Sequence, residues 1–144
     1  MMIGVVLDNE AAQVVTDPRH TKHRRMLAIL EAVAGRNRRR PSSAQVVVPT
    51  AVRLEALLDR RRPTSSSLGR LRVSDRELTS ARADRGVELR SAAGGSTVDA
   101  TVAQAAEEFA AAGARTTIVT ADLTDIPRLV AASRAPQAVN ITAI

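Results

Sequence analysis

Ile3-Gly4-Val5-Val6-Leu7-Asp8 is a short apolar run closed by an acid. It lacks alternation between polar and apolar positions, as expected of a strand buried on both faces inside a parallel sheet. Three more segments read as strands: Gln45-Val46-Val47-Val48, stopped by Pro49; the β-branched run Thr116-Thr117-Ile118-Val119-Thr120; and residues 138–142. Leu71-Arg72-Val73 reads as a shorter one. Between them the spacing predicts helices. The first follows Thr16-Asp17-Pro18, carries Met26, Ile29, Leu30 and Val33 on one stripe, and ends at Gly35. Others are expected from Thr50 to about Arg60, from about Ser74 to Ala92, from about Thr97 to Ala112 before Gly113, and over 127–133. Alternating strands and helices define an α/β fold, here a three-layer α/β/α arrangement around a mostly parallel sheet of four to five strands. With 144 residues, the chain (1–144) suits a single domain.

In such sheets ligands bind beyond the carboxyl ends of the strands. Asp8 follows the first strand and Asp122 follows Thr116–Thr120. Two more acids fall where a helix should be apolar. Glu55 shares a face with Ala51, Val52 and Leu58, and Asp99 lies on the stripe of Val98, Val102, Ala105, Ala106 and Phe109. A charge facing a core is costly unless something pairs with it. Carboxylates about 4 Å apart repel by roughly 4 kcal/mol at an effective dielectric near 20, so four together require a cation to stay ionised. Donors that are all oxygen select a hard ion, Mg²⁺ or Mn²⁺. Such an ion can activate water for in-line attack on a phosphodiester.

The charge is lopsided. Lys and Arg total 21 against 15 acids, for a net +6, and all but Lys22 are Arg. Residues 1–90 carry 18 basic and 10 acidic side chains; residues 91–144 carry 3 and 5. That imbalance suggests a polyanionic partner, with Arg36, Arg38, Arg39 and Arg40 in one basic loop and Arg60, Arg61 and Arg62 in another as candidate phosphate contacts. Phe109 is the only aromatic residue, which argues against binding single strands by base stacking on rings. The absence of Cys excludes disulfides, thiol nucleophiles and thiolate metal sites. His20 and His23 lack a third ligand and read as part of a solvated basic helix start. No phosphate-cradling glycine loop and no G-x-S-x-G occurs, and a phospho-receiver would need a Lys late in the sheet. No apolar run is long enough to span a membrane, and the run from Met1 to Leu7 has no basic leader, so a cytoplasmic location is expected.

Val5-Val6-Leu7-Asp8, Val46-Val47-Val48-Pro49-Thr50 leading to Glu55, Val98-Asp99-Ala100 and Thr120-Ala121-Asp122-Leu123-Thr124-Asp125-Ile126 resemble, in order and spacing, the motifs of PIN-domain ribonucleases. Within these the likeness is to VapC-type toxins of bacterial toxin–antitoxin pairs, and it covers the chain from residue 3 to the last strand. The resemblance implies a PIN-like fold and a Mg²⁺- or Mn²⁺-dependent endoribonuclease acting on structured RNA of the tRNA or rRNA class. It also implies a cognate VapB-like antitoxin and a homodimer. Asp8, Glu55, Asp99 and Asp122 would be the catalytic acids. Asp8, Asp99, Asp122 and Asp125 would ligate the metal, and Thr120 matches the small hydroxyl residue ahead of the fourth acid. Asn9 and Glu10 stand where many relatives carry a small hydroxyl residue, Leu123 where a proline is common, and Ser96 where another acid sometimes stands. The rival expectation is a non-catalytic Arg-rich RNA- or antitoxin-binding module on a degenerate PIN scaffold.

Overall fold

The computed structural model describes residues 2–144; Met1, which opens the run read above for a leader, lies outside them. Five strands form the sheet: β1 (Ile3–Leu7), β2 (Ala44–Pro49), β3 (Val73–Arg76), β4 (Arg115–Thr120) and β5 (Val139–Ala143). All pairings are parallel, in the order β3-β2-β1-β4-β5. Among the described residues seven α-helices connect them: α1 (Asn9–Thr16), α2 (His23–Arg39), α3 (Thr50–Glu55), α4 (Ser66–Arg70), α5 (Ser80–Ala93), α6 (Thr97–Ala111) and α7 (Asp125–Ala131). Right-handed crossovers place α1–α4 on one face of the sheet and α5–α7 on the other. The packing agrees, with α2 on β2 and α1, and α6 across β4, β1 and β2. The expected three-layer α/β architecture is the one observed. Among the described residues, no helix is long and apolar enough to cross a membrane.

Val5, Val6, Leu7, Val46, Val47, Val48, Ile118 and Val119 are buried and form the centre of the core, as their unbroken apolar runs require. Gly4 has a specific task there. A Cβ at this position would lie 2.7 Å from Cγ of Phe109, so the bare backbone is what lets the α6 ring lie flat on β1. The guanidinium of Arg76 covers the same ring, 5.0 Å from its centroid.

Several local expectations are corrected. The sequence reading has no helix before Asp17, yet α1 begins at Asn9 because Asp8 caps it, its side chain accepting the amide of Ala11 at 2.9 Å. Gly35 does not end α2. The helix continues to Arg39, and Asn37 clamps both backbone groups of Ala44 at 2.9 Å, which ties the helix end to the start of β2. The supposed basic loop at Arg36–Arg40 is therefore the last turn of α2 and its cap, a favourable place for cations. Helix α3 ends at Glu55 rather than near Arg60. Leu57 turns left-handed (φ 55) and Leu58 N–H closes on the carbonyl of Arg53, the Schellman arrangement without the glycine that usually signals it. Residues Ser74–Arg76, expected to open a helix, instead extend edge strand β3 against Val47–Pro49.

Candidate metal centre

With the order β3-β2-β1-β4-β5, the chain leaves β1 and β4 toward opposite edges, so a crevice opens between their carboxyl ends. Asp8 sits at the end of β1 and Asp122 two residues past β4. Helix α6 aims its first turn at the same place. Ser96 caps it by accepting the amide of Asp99 at 3.0 Å, which sets Asp99 one turn inside the helix with its carboxylate on the crevice. The resulting cavity, of about 350 Å³, is lined by Asp8, Asn9, Glu10, Glu55, Ser96, Asp99, Ala121 and Asp122.

Asp99, Asp122 and Asp125 bring one carboxylate oxygen each to within 4.8 Å of one another. Asp8 is held beside them by its own bonds. It is 5% exposed; one oxygen takes the Ala11 amide and the other takes the hydroxyl of Thr120. That same hydroxyl oxygen accepts the amide of Asp122 at 2.8 Å, so fully buried Thr120 links the two acids. Asp122 also accepts the amides of Thr124 (2.9 Å) and Asp125 (2.8 Å), which sets the entry to α7. Thus the capping role and the site role of Asp122 coincide in one side chain.

Glu55 departs from the expectation of a core-facing acid. Because α3 stops there, Glu55 is exposed on the rim of the cavity, flanked by Leu54 (79% exposed) and Leu57 (84% exposed). Glu10 was missed by sequence reasoning. It lies in the first turn of α1, lines the cavity and pairs with Lys22 at 3.7 Å; its only signal was its place two residues after Asp8. The basic candidates lie elsewhere. Arg36, Arg38 and Arg39 sit in the last turn of α2, beside the amino end of β2, with Arg40 as its cap. Arg60 is engaged with Asp75 (2.9 Å) and Arg61 with Asp59 (2.8 Å), while Arg62 is exposed. His20 accepts the Lys22 amide and His23 bonds the carbonyl of Val14, so neither is poised as a ligand.

The acids are electrostatically strained without a cation. Burial, with Asp122 and Asp125 nearby, pushes Asp99 up to about 6. Burial also raises Asp8, against the pull of the Thr120 hydroxyl and the Ala11 and Ala121 amides. Asp122 goes the other way: burial raises it, but the amides of Asp125 and Thr124 and the hydrogen bond from Asp99 prevail and hold it below the usual carboxylate range. Carboxyls whose charges oppose one another in this way suit a divalent cation, and an all-carboxylate donor set is the chemistry of Mg²⁺ or Mn²⁺.

No protein-family profile and no curated protein matches the sequence. A solved structure does match the fold: a chain of the crystal structure of VapBC2 from Rickettsia felis bound to a DNA fragment from their promoter. The two are 15% identical, the match covers 99% of each chain, and the TM-score is 0.61. The PIN-like α/β fold is therefore shared from end to end.

Proposed function

We propose that this chain is a metal-dependent endoribonuclease of the VapC type that hydrolyses phosphodiester bonds in structured RNA of the tRNA or rRNA class. The observation that carries it is the meeting of Asp99, Asp122 and Asp125 beside Asp8 at the one crevice the strand order creates. Asp8, Asp99, Asp122 and Asp125 would hold Mg²⁺ or Mn²⁺, which when bound lowers the pKa of a coordinated water and offsets charge on the phosphate. Thr120 orients Asp8 and, through the Asp122 amide, sets the distance between the two strand-end acids. Glu55, on the open rim, is placed to orient the attacking water.

An antitoxin partner is supported by the likeness to a VapBC complex and by the exposed Leu54, Leu57 and Leu123, which lie next to or near the cavity-lining Glu55 and Asp122 in the chain and which a partner segment would cover. A homodimer and a cytoplasmic location complete this reading. The rival, a non-catalytic Arg-rich binding module, draws on the distance between the Arg36–Arg40 cluster and the acids. The test is cleavage of tRNA and rRNA with Mg²⁺, with Mn²⁺ and with chelator, by wild type, Asp8→Asn and Asp99→Asn. The nuclease reading expects ion-dependent cutting that both variants lose while their circular dichroism is unchanged. Cutting by either variant would show the acids misassigned, and no cutting by wild type with either ion would favour the rival.

A further inference from the structure

A groove of about 630 Å³ lies at the end of the sheet opposite the acids, between the last turns of α2 and the amino ends of β2 and β3. Val33, Ala34, Leu71, Val46 and Pro41 give it an apolar floor. Arg38, Arg70 and Arg72 supply positive charge, and no acid lines it. Among the described residues these three guanidiniums form no ion pair, unlike Arg60 and Arg61. Gln45, Ser42 and Ser74 add side-chain donors and acceptors that have no hydrogen-bond partner among the described residues. The backbone here is unusual too. Ser42 (φ 58) and Arg72 (φ 55), in the loops that feed β2 and β3, both hold the left-handed conformation that favours glycine. At Arg72 the chain thus puts a guanidinium where a helix end ordinarily takes a residue without a side chain.

We propose that this groove is a second RNA subsite, which holds a phosphodiester segment remote from the bond that is cut. This rests on the ribonuclease reading for the identity of the polyanion. Ile3 is in register with Ala44 at the groove, and Asp8 is five residues further along β1, so the two sites stand about 16 Å apart along the strands. One phosphate cannot touch both, whereas a folded RNA can. Three planar guanidiniums match phosphate oxygens in pairs and also stack on bases, which a floor of Leu71, Val46 and Pro41 would flank without any aromatic ring. An acidic peptide could meet the same charges, and the peptide arm of the experiment below separates it from RNA.

The experiment measures binding of a tRNA transcript to the full-length Asp8→Asn chain across a range of salt. Arg38→Gln/Arg70→Gln/Arg72→Gly is added to that background, the glycine being chosen for the left-handed backbone. The expected result is about tenfold weaker binding and a log–log salt slope shallower by two to three units. Ser74→Glu, on the exposed edge strand, keeps the fold and must weaken the same binding by placing a carboxylate in the groove. Unchanged affinity and slope in both variants would overturn the proposal. So would the outcome in which the variants lose a polyglutamate peptide but keep tRNA, which would assign the groove to an acidic protein. Because binding is read without cutting, an inactive wild type would refute the nuclease reading while leaving this result standing.

Discussion

If Asp99 is held ionised only at the expense of its neighbours, Asp99→Asn must stabilise the metal-free protein at neutral pH. Oxygens 4.8 Å apart repel by about 3–4 kcal/mol per ionised pair at an effective dielectric near 20. The displacement of Asp99 from 3.8 to about 6 corresponds to roughly 3 kcal/mol. Asp99 is only part-buried, so solvent screening reduces this to about 1–2 kcal/mol. Asparagine also forfeits the favourable placement of an acid in the first turn of α6, about 0.3–1 kcal/mol. The net gain is then about 1 kcal/mol, or 2–4 °C in Tm for a chain of this size. The sign follows from the raised pKa. The native state binds the proton more tightly, so the penalty is absent below about pH 4 and fully present above about pH 6. Thermal unfolding in chelator should therefore show Asp99→Asn above wild type at pH 7.5, about half that gap at pH 5, and the two nearly equal below about pH 4. Saturating Mg²⁺ should reverse the order at pH 7.5, because an ion at a hundred times its Kd stabilises wild type by about 2.7 kcal/mol and the variant by less. A variant that is less stable than wild type in chelator, or a gain that does not change with pH, would refute the electrostatic argument.

Thr120→Val leaves the Asp122 amide without its acceptor and Asp8 without its hydroxyl donor, inside a fully buried setting; the expected loss is about 1–3 kcal/mol in urea unfolding, with cleavage falling alongside. Gly4→Ala should cost about 1–3 kcal/mol by driving a methyl into the Phe109 ring, and the added Phe109→Leu should recover part of it; an unaffected midpoint for Gly4→Ala alone would contradict the close approach. Glu108 is drawn down to about 2, because hydrogen bonds from Arg82, Arg76 and Gln104 overcome the effect of burial. Its contribution is present above about pH 4.5 and is lost as pH falls toward 2, so Glu108→Gln should lower Tm at pH 6 and make less difference with each step of acidification.

Much of the fold was legible in the residues because burial on both faces leaves a mark on a strand. β1, β2 and β4 are unbroken apolar or β-branched runs, and each emerges within a residue or two of where it was read. The acids after β1 and β4 were legible for the same reason, since strand ends in a parallel sheet are where a site opens. Edge strand β3 was legible only at its start: Leu71-Arg72-Val73 reads as a short strand and Val73 does open β3, but Ser74, Asp75 and Arg76 carry no strand signal and extend only because β2 offers them backbone partners. Helix α3 stopped short through a left-handed Leu57, a conformation that tertiary packing imposes and a leucine does not announce. Glu55 consequently turned outward, and the residues that meet most closely are Asp99, Asp122 and Asp125. The basic stretches show the same division. Their charge is written in the chain, but only the path of α2 and the ion pairs of Arg60 and Arg61 decided which guanidiniums stay available and at which end of the sheet. Local composition determines what each segment buries; where polar side chains converge depends on the relative placement of distant segments, and that is settled only when the layers pack.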